Sequence, residues 1–155
     1  MEPGWLDMHE MRAWVAFHAM RQQLVAHLAR ELAQNCGLTE ADYAVLVNVS
    51  QAPGRRIRSR DLCRKLGWER SRLSHQIARM ELRGTVERAP CEDDARGFDV
   101  VLTEAGLEAI ESAAPIHLKA VRHCFADVLT REQLDAFADI AETVTQHLAK
   151  EHPEE

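Results

Sequence analysis

Apolar residues recur at helical spacing along most of the chain. Met8, Met11, Trp14, Val15, Phe17, Met20, Leu24, Val25, Leu28 and Leu32 step by three and four, which predicts one long helix over 8–34. The stripe is wider than a single seam, so this helix should pack on its own domain and on a second surface, a partner subunit being the simplest. Asn35-Cys36-Gly37 ends it, with Gly37 as a left-handed cap. Thr39 opens a second helix, with Asp42 at the capping-box position, and carries Tyr43, Val45, Leu46 and Val49 to a stop at Pro53-Gly54.

The middle of the chain has shorter periods. Residues 55–58 are β-permissive and basic, Ser59 is placed to cap a third helix over 59–66, and Gly67 ends it with Leu62 and Leu66 facing inward. After a turn at Trp68-Glu69, a fourth helix spans 70–83 and closes at Gly84. Two short helices joined by a tight glycine-containing turn form a helix-turn-helix. Strand-like segments 86–90 and 98–102 then flank a polar tip, 91–97, which makes a β-hairpin wing, with Pro90 at an edge or a strand end.

Thr103 caps a fifth helix of roughly 25 residues, with Pro115 placed to kink it. Thr130-Arg131-Glu132-Gln133 is a capping box for a sixth, which aligns Leu134, Phe137, Ile140, Ala141, Val144 and Leu148 and frays from Glu151. The expected fold is mainly α: a winged helix-turn-helix over 38–103, with long N- and C-terminal dimerisation helices in 1–37 and 104–155.

Composition narrows the classes. In these 155 residues, 46% of them hydrophobic, no apolar run reaches the ~18–20 residues of a membrane helix, and the first residues show no basic-then-apolar leader. A cytoplasmic protein is expected, with no membrane partner. Cys36, Cys63, Cys91 and Cys124 lie 27, 28 and 33 residues apart with no CxxC pair, so free thiols are expected. His9, His18, His117, His123 and Cys124 offer no metal-ligand spacing beyond a loose His117/Cys124 pair, and no metal or other cofactor is expected. With no Ser/His/Asp set in a recognisable turn, no phosphate-binding glycine loop and no paired carboxylates with a base, neither is an enzymatic activity.

Net charge is −6, yet residues 55–90 carry 11 Arg or Lys against four acids, a local +7 that leaves −13 for the rest. Phosphate neutralisation is local, so a basic module in an acidic body suits DNA. On a helical wheel Leu73, Ile77 and Met80 share the inward face of the fourth helix, while Ser71, His75 and Arg79 fall opposite and Arg72 on the flank. Arg70, Ser71, Arg72, His75 and Gln76 are the candidates for base edges, with Ser74 beside them, and Arg79 and Arg83 for phosphate. Ser59 and Arg60, at the start of the third helix, should hold phosphate and position rather than specify, and Arg58 and Arg88 are further DNA-binding candidates. Arg96 at the wing tip suits a narrow minor groove, or an ion pair with Asp94 or Asp93, and the two are compatible.

The order of parts resembles the MarR (multiple-antibiotic-resistance regulator) family over almost the whole chain. The matching residues are Leu38-Thr39-Glu40-Ala41-Asp42-Tyr43, Ser59-Arg60-Asp61-Leu62, Leu66-Gly67, Ser71-Arg72-Leu73-Ser74, Met80-Glu81-Leu82-Arg83-Gly84, Asp94-Ala95-Arg96-Gly97 and Leu102-Thr103-Glu104-Ala105-Gly106. The resemblance implies a homodimeric repressor on a pseudo-palindromic double-stranded operator. It assigns Arg96 as the wing arginine with Asp94 as its acidic partner, and implies a small aromatic or anionic ligand in a cleft, for which Trp14, His18, Tyr43 and Trp68 are candidates. Some members sense peroxide through a cysteine near the start of the first helix, and this chain has none there. Two other readings stay open: a winged-helix protein-interaction module without specific DNA readout, and a metal- or redox-responsive regulator.

Overall fold

The computed structural model describes residues 4–151; residues 1–3 and the tail after Glu151, where fraying is expected, lie outside the described residues. In chain order the elements are α1 (Met8–Cys36), α2 (Glu40–Gln51), a 3-10 turn (Pro53–Arg55), β1 (Arg56–Arg58), α3 (Ser59–Leu66), α4 (Arg70–Arg83), β2 (Val86–Pro90), β3 (Phe98–Leu102), α5 (Glu104–Cys124), a second 3-10 turn (Ala126–Val128) and α6 (Arg131–Glu151). They form two compact units, one ending at Leu118 and the other starting at Lys119.

In the first unit the strands make an antiparallel sheet in the order β1-β3-β2, with Arg58 opposite Asp99, Val86 opposite Leu102 and Pro90 opposite Phe98. This is a mainly helical winged-helix fold. Val45, Leu46 and Val49 of α2, Leu62 of α3, Leu73, Ile77 and Met80 of α4, Val86 and Val100 of the sheet and Ile110 of α5 share one core. An eight-residue helix such as α3 is not stable alone in water. Full burial of Leu62 contributes about 1.5–3 kcal/mol, more than capping alone supplies, so the core holds α3 in place.

Several termini follow local chemistry. The Thr39/Asp42 capping box is formed in both directions, at 2.9 and 3.0 Å, as is the Thr130/Gln133 box at 2.9 and 3.1 Å. Asp7 and Glu10 form a third box, which starts α1. Its sequence signature is the Asp-x-x-Glu pattern at 7–10, just ahead of the apolar stripe. Ser59 does not cap α3. Arg58 occupies the N-cap position with no side-chain bond, and the Ser59 hydroxyl accepts from the Phe98 amide at 3.4 Å. Glycine is required at 106 by space: a Cβ there would lie 2.1 Å from the Thr85 carbonyl oxygen, which already accepts from the Thr103 amide.

The fifth helix is shorter than its apolar period suggests. It stops at Cys124, because Phe125 leaves helical geometry at φ −130 and ψ −62. In the first unit Trp14, Val15 and Phe17 of α1 stay exposed, and in the second Ile140, Val144 and Leu148 of α6 do.

Candidate nucleic-acid interface

The start of α3, the start of α4 and the wing surround one cleft of about 280 Å³, lined by Ser59, Arg60, Cys63, Arg70, Ser71, Ser74, Asp94, Arg96 and Phe98. Neither helix N-terminus carries a side-chain cap, since Arg58 and Glu69 at the N-cap positions make no such bond. Free N–H groups, the positive ends of two helix dipoles and three guanidinium groups therefore meet around a single space. Such an arrangement attracts a phosphate-bearing ligand. Burial pushes the Cys63 thiol pKa up, against a downward pull from Arg70 and with a small upward push from Glu69.

Arg70, Ser71, Arg72 and His75 are exposed along α4. Arg72 lies over the Trp68 ring, 4.2 Å from its centre. Trp68 immediately precedes the N-cap Glu69, so the turn into α4 brings its ring against a residue of the first helical turn. Gln76 departs from expectation. It is buried, three residues from Leu73 and four from Met80, on the inward face; its amide donates to Asp42 Oδ1 at 2.6 Å and its carbonyl oxygen accepts from Arg79 at 2.6 Å. Both ends are occupied, so Gln76 is not a base-contacting group in this arrangement. Arg83 donates to Asp42 Oδ2 at 2.9 Å, so the buried Asp42 joins the start of α2 to the length of α4. The sequence marked Asp42 only as a capping residue.

In the wing Asp94 accepts from the backbone amide of Arg96 at 2.9 Å, shaping the turn rather than pairing with the guanidinium. The carboxylate available to an arginine is Asp93, and its partner is Arg58. Among the described residues no carboxylate forms an ion pair with Arg96, which is exposed. Arg60 lies 3.7 Å from Asp61 and stays half-exposed. Arg88 turns back onto α4: its guanidinium donates to the Ser74 carbonyl at 2.7 Å and hydroxyl at 3.3 Å, lies 4.5 Å from the centre of the Phe98 ring, and has Glu81 at 3.6 Å.

The four candidate ligand residues do not converge within one chain. Trp14 packs edge-on to His18 at 5.2 Å, Tyr43 lies tilted against His117 with ring centres 4.3 Å apart, and Trp68 lies under Arg72. Trp14 is 22 residues before Cys36 on one helix, roughly 33 Å along the axis at 1.5 Å per residue, whereas the Tyr43 pKa is raised by burial and then by the neighbouring Cys36. His117 Nδ1 is buried with no hydrogen-bond partner among the described residues, and burial lowers the pKa of this imidazole, with Glu40 opposing. All four cysteines are free thiols, each part-buried.

The sequence profile of the MarR family matches residues 37–97. The transcriptional regulator HosA of Escherichia coli is 32% identical over 125 residues, covering 81% of this chain and 90% of HosA. Among solved structures, AbsC, a MarR family transcriptional regulator from Streptomyces coelicolor, superposes with a TM-score of 0.89 at 40% identity, covering 96% of this chain and 99% of AbsC. Sco3205 of the same organism and family, solved in complex with DNA, gives 0.89 at 36% identity, covering 94% and 92%. On this evidence the chain belongs to the MarR family of transcriptional regulators.

Proposed function

We propose that the protein is a cytoplasmic homodimer that binds a pseudo-palindromic duplex operator sequence-specifically and represses transcription. Arg70, Ser71, Arg72 and His75 of α4 enter the major groove, Ser59 and Arg60 hold phosphate, and Arg96 probes the adjacent minor groove. The carrying observation is the single cleft that gathers Ser59, Arg60, Arg70, Ser71 and Arg96 around two uncapped helix starts. The DNA complex of Sco3205 supports the same use. The two-fold arrangement is supported by the exposed Trp14, Val15 and Phe17 of α1 and Ile140, Val144 and Leu148 of α6, apolar faces that a second copy would cover. Domain roles follow: 38–103 reads DNA, and 1–37 with 104–155 dimerise. Among the described residues no helix is long and apolar enough to cross a membrane.

A small aromatic or anionic ligand modulates affinity in this reading. The unpartnered His117 Nδ1 beside the Tyr43 ring supports it, because an acidic or hydroxylated aromatic would supply the missing hydrogen bond there. Gel-shift titration on duplexes selected from a random library tests the DNA assignment. Affinity should fall steeply as salt is raised fourfold, by about 10³ or more for six phosphate contacts. Salt-insensitive binding, or no selected duplex, overturns it.

A further inference from the structure

Beyond the groove contacts, the wing has to be held at a defined angle to α4, and one pair of side chains sits where that angle is set. β2 is an edge strand of the sheet, so the side of it away from β3 presents backbone groups without a ladder partner. At Arg88 the amide is taken by a side chain from α4: it donates to Glu81 Oε1 at 2.9 Å. The same residue's guanidinium reaches in the other direction, to the Ser74 carbonyl oxygen nearly two helical turns earlier on α4. Its Nε stays 3.6 Å from Glu81, and its planar face covers Phe98 of β3. One residue of the wing is thus gripped at two points along α4, through both backbone and side chain. A carboxylate on a DNA-reading helix is electrostatically adverse to phosphate, and Glu81 is instead turned onto the wing, against the Arg88 amide and Nε.

We propose that Glu81 and Arg88 are positioning residues: they clamp the edge strand of the wing to α4, so that the major-groove and minor-groove contacts are made at one fixed separation. Arg88 then acts through its neighbours and not as a phosphate ligand. This rests on the reading of α4 and the wing as the DNA interface.

The test uses full-length protein on a duplex enriched from a random library with the wild type, and on an unrelated duplex of equal length. Glu81→Ala lowers the ratio of specific to non-specific affinity by about tenfold, the scale of one lost base contact, although it removes a negative charge. Glu81→Gln, whose amide oxygen still accepts from the Arg88 N–H, keeps most of that ratio. Arg88→Lys separates the two roles, since lysine retains the charge but has no planar guanidinium to meet Ser74 through Nη2, Glu81 through Nε and the Phe98 ring at once. The clamp predicts that Arg88→Lys loses specificity as Arg88→Ala does, and that hydroxyl-radical footprints keep central protection while losing that at the wing. Thermal melts confirm which variants are folded, and Arg88→Lys and Glu81→Gln serve if the alanine variants are not. Wild-type specificity and footprints in Arg88→Lys, or a uniform gain on both duplexes in Glu81→Ala, overturn the clamp alone. Failure to enrich any duplex overturns the DNA reading and the clamp with it.

Discussion

Arg72 rests with its guanidinium 4.2 Å from the centre of the Trp68 ring, so the turn that joins α3 to α4 also orients a candidate base-contacting side chain. A cation over an indole in a partly exposed place contributes about 0.5–1 kcal/mol, and it lowers the rotamer entropy Arg72 gives up on binding. Trp68→Phe should retain most DNA affinity, whereas Trp68→Leu should lose about threefold to fivefold. A double-mutant cycle with Arg72→Ala checks this, because the Trp68 effect should vanish once Arg72 is absent.

Arg96 is the exposed guanidinium of the wing tip, free of carboxylate partners among the described residues. Arg96→Ala should weaken specific DNA binding by about 1–3 kcal/mol and reduce the salt slope by about one, with the melting temperature unchanged. A drop in melting temperature comparable with the loss in affinity would show a structural role instead.

Asp42 is buried and accepts from the Thr39 amide, Gln76 and Arg83. Removing it leaves the buried Gln76 amide unsatisfied as well as breaking the helix cap. Asp42→Ala should cost about 2–4 kcal/mol in denaturant unfolding. The isolated loss of the exposed half of the network, Arg83→Ala, should cost about 1 kcal/mol or less.

Gly106 has no room for a methyl group, and the obstacle is backbone. Gly106→Ala pushes the start of α5 away from Thr85 and from Leu102, 2.7 Å from the would-be Cβ, and should lower stability by about 2–4 kcal/mol. A melting curve within 2 °C of wild type, against the several degrees expected, would contradict the close approach.

His117 packs against Tyr43, and its burial lowers the imidazole pKa from 6.5. The unfolded chain therefore binds the proton more readily than the folded one, and the neutral form favours folding. This contribution is present above pH 6.5 and is lost as pH falls from there toward the depressed folded value. Stability measured between pH 7.5 and 5 should decline less in His117→Phe than in the wild type. Parallel profiles would show that His117 is not the titrating group.

What could be read from the residues alone was the local order of parts. The bounds of α3, α4 and both wing strands follow from Gly67, Gly84, Pro90 and the 3.6- and 2-residue apolar periods, because helix ends and strand pleats answer to neighbours within a few positions. The basic stretch from 55 to 90 was legible in the same way. The directions of long polar side chains were not. Gln76 turned inward to Asp42 across 34 positions, the Ser59 hydroxyl took the Phe98 amide instead of capping α3, and Arg88 reached Ser74 rather than open solvent. Each of these side chains goes to whatever donor or acceptor packing brings within about 3 Å, and that partner belongs to another element. Folding of the first unit decided those partners, and with them which cations of the basic stretch face outward.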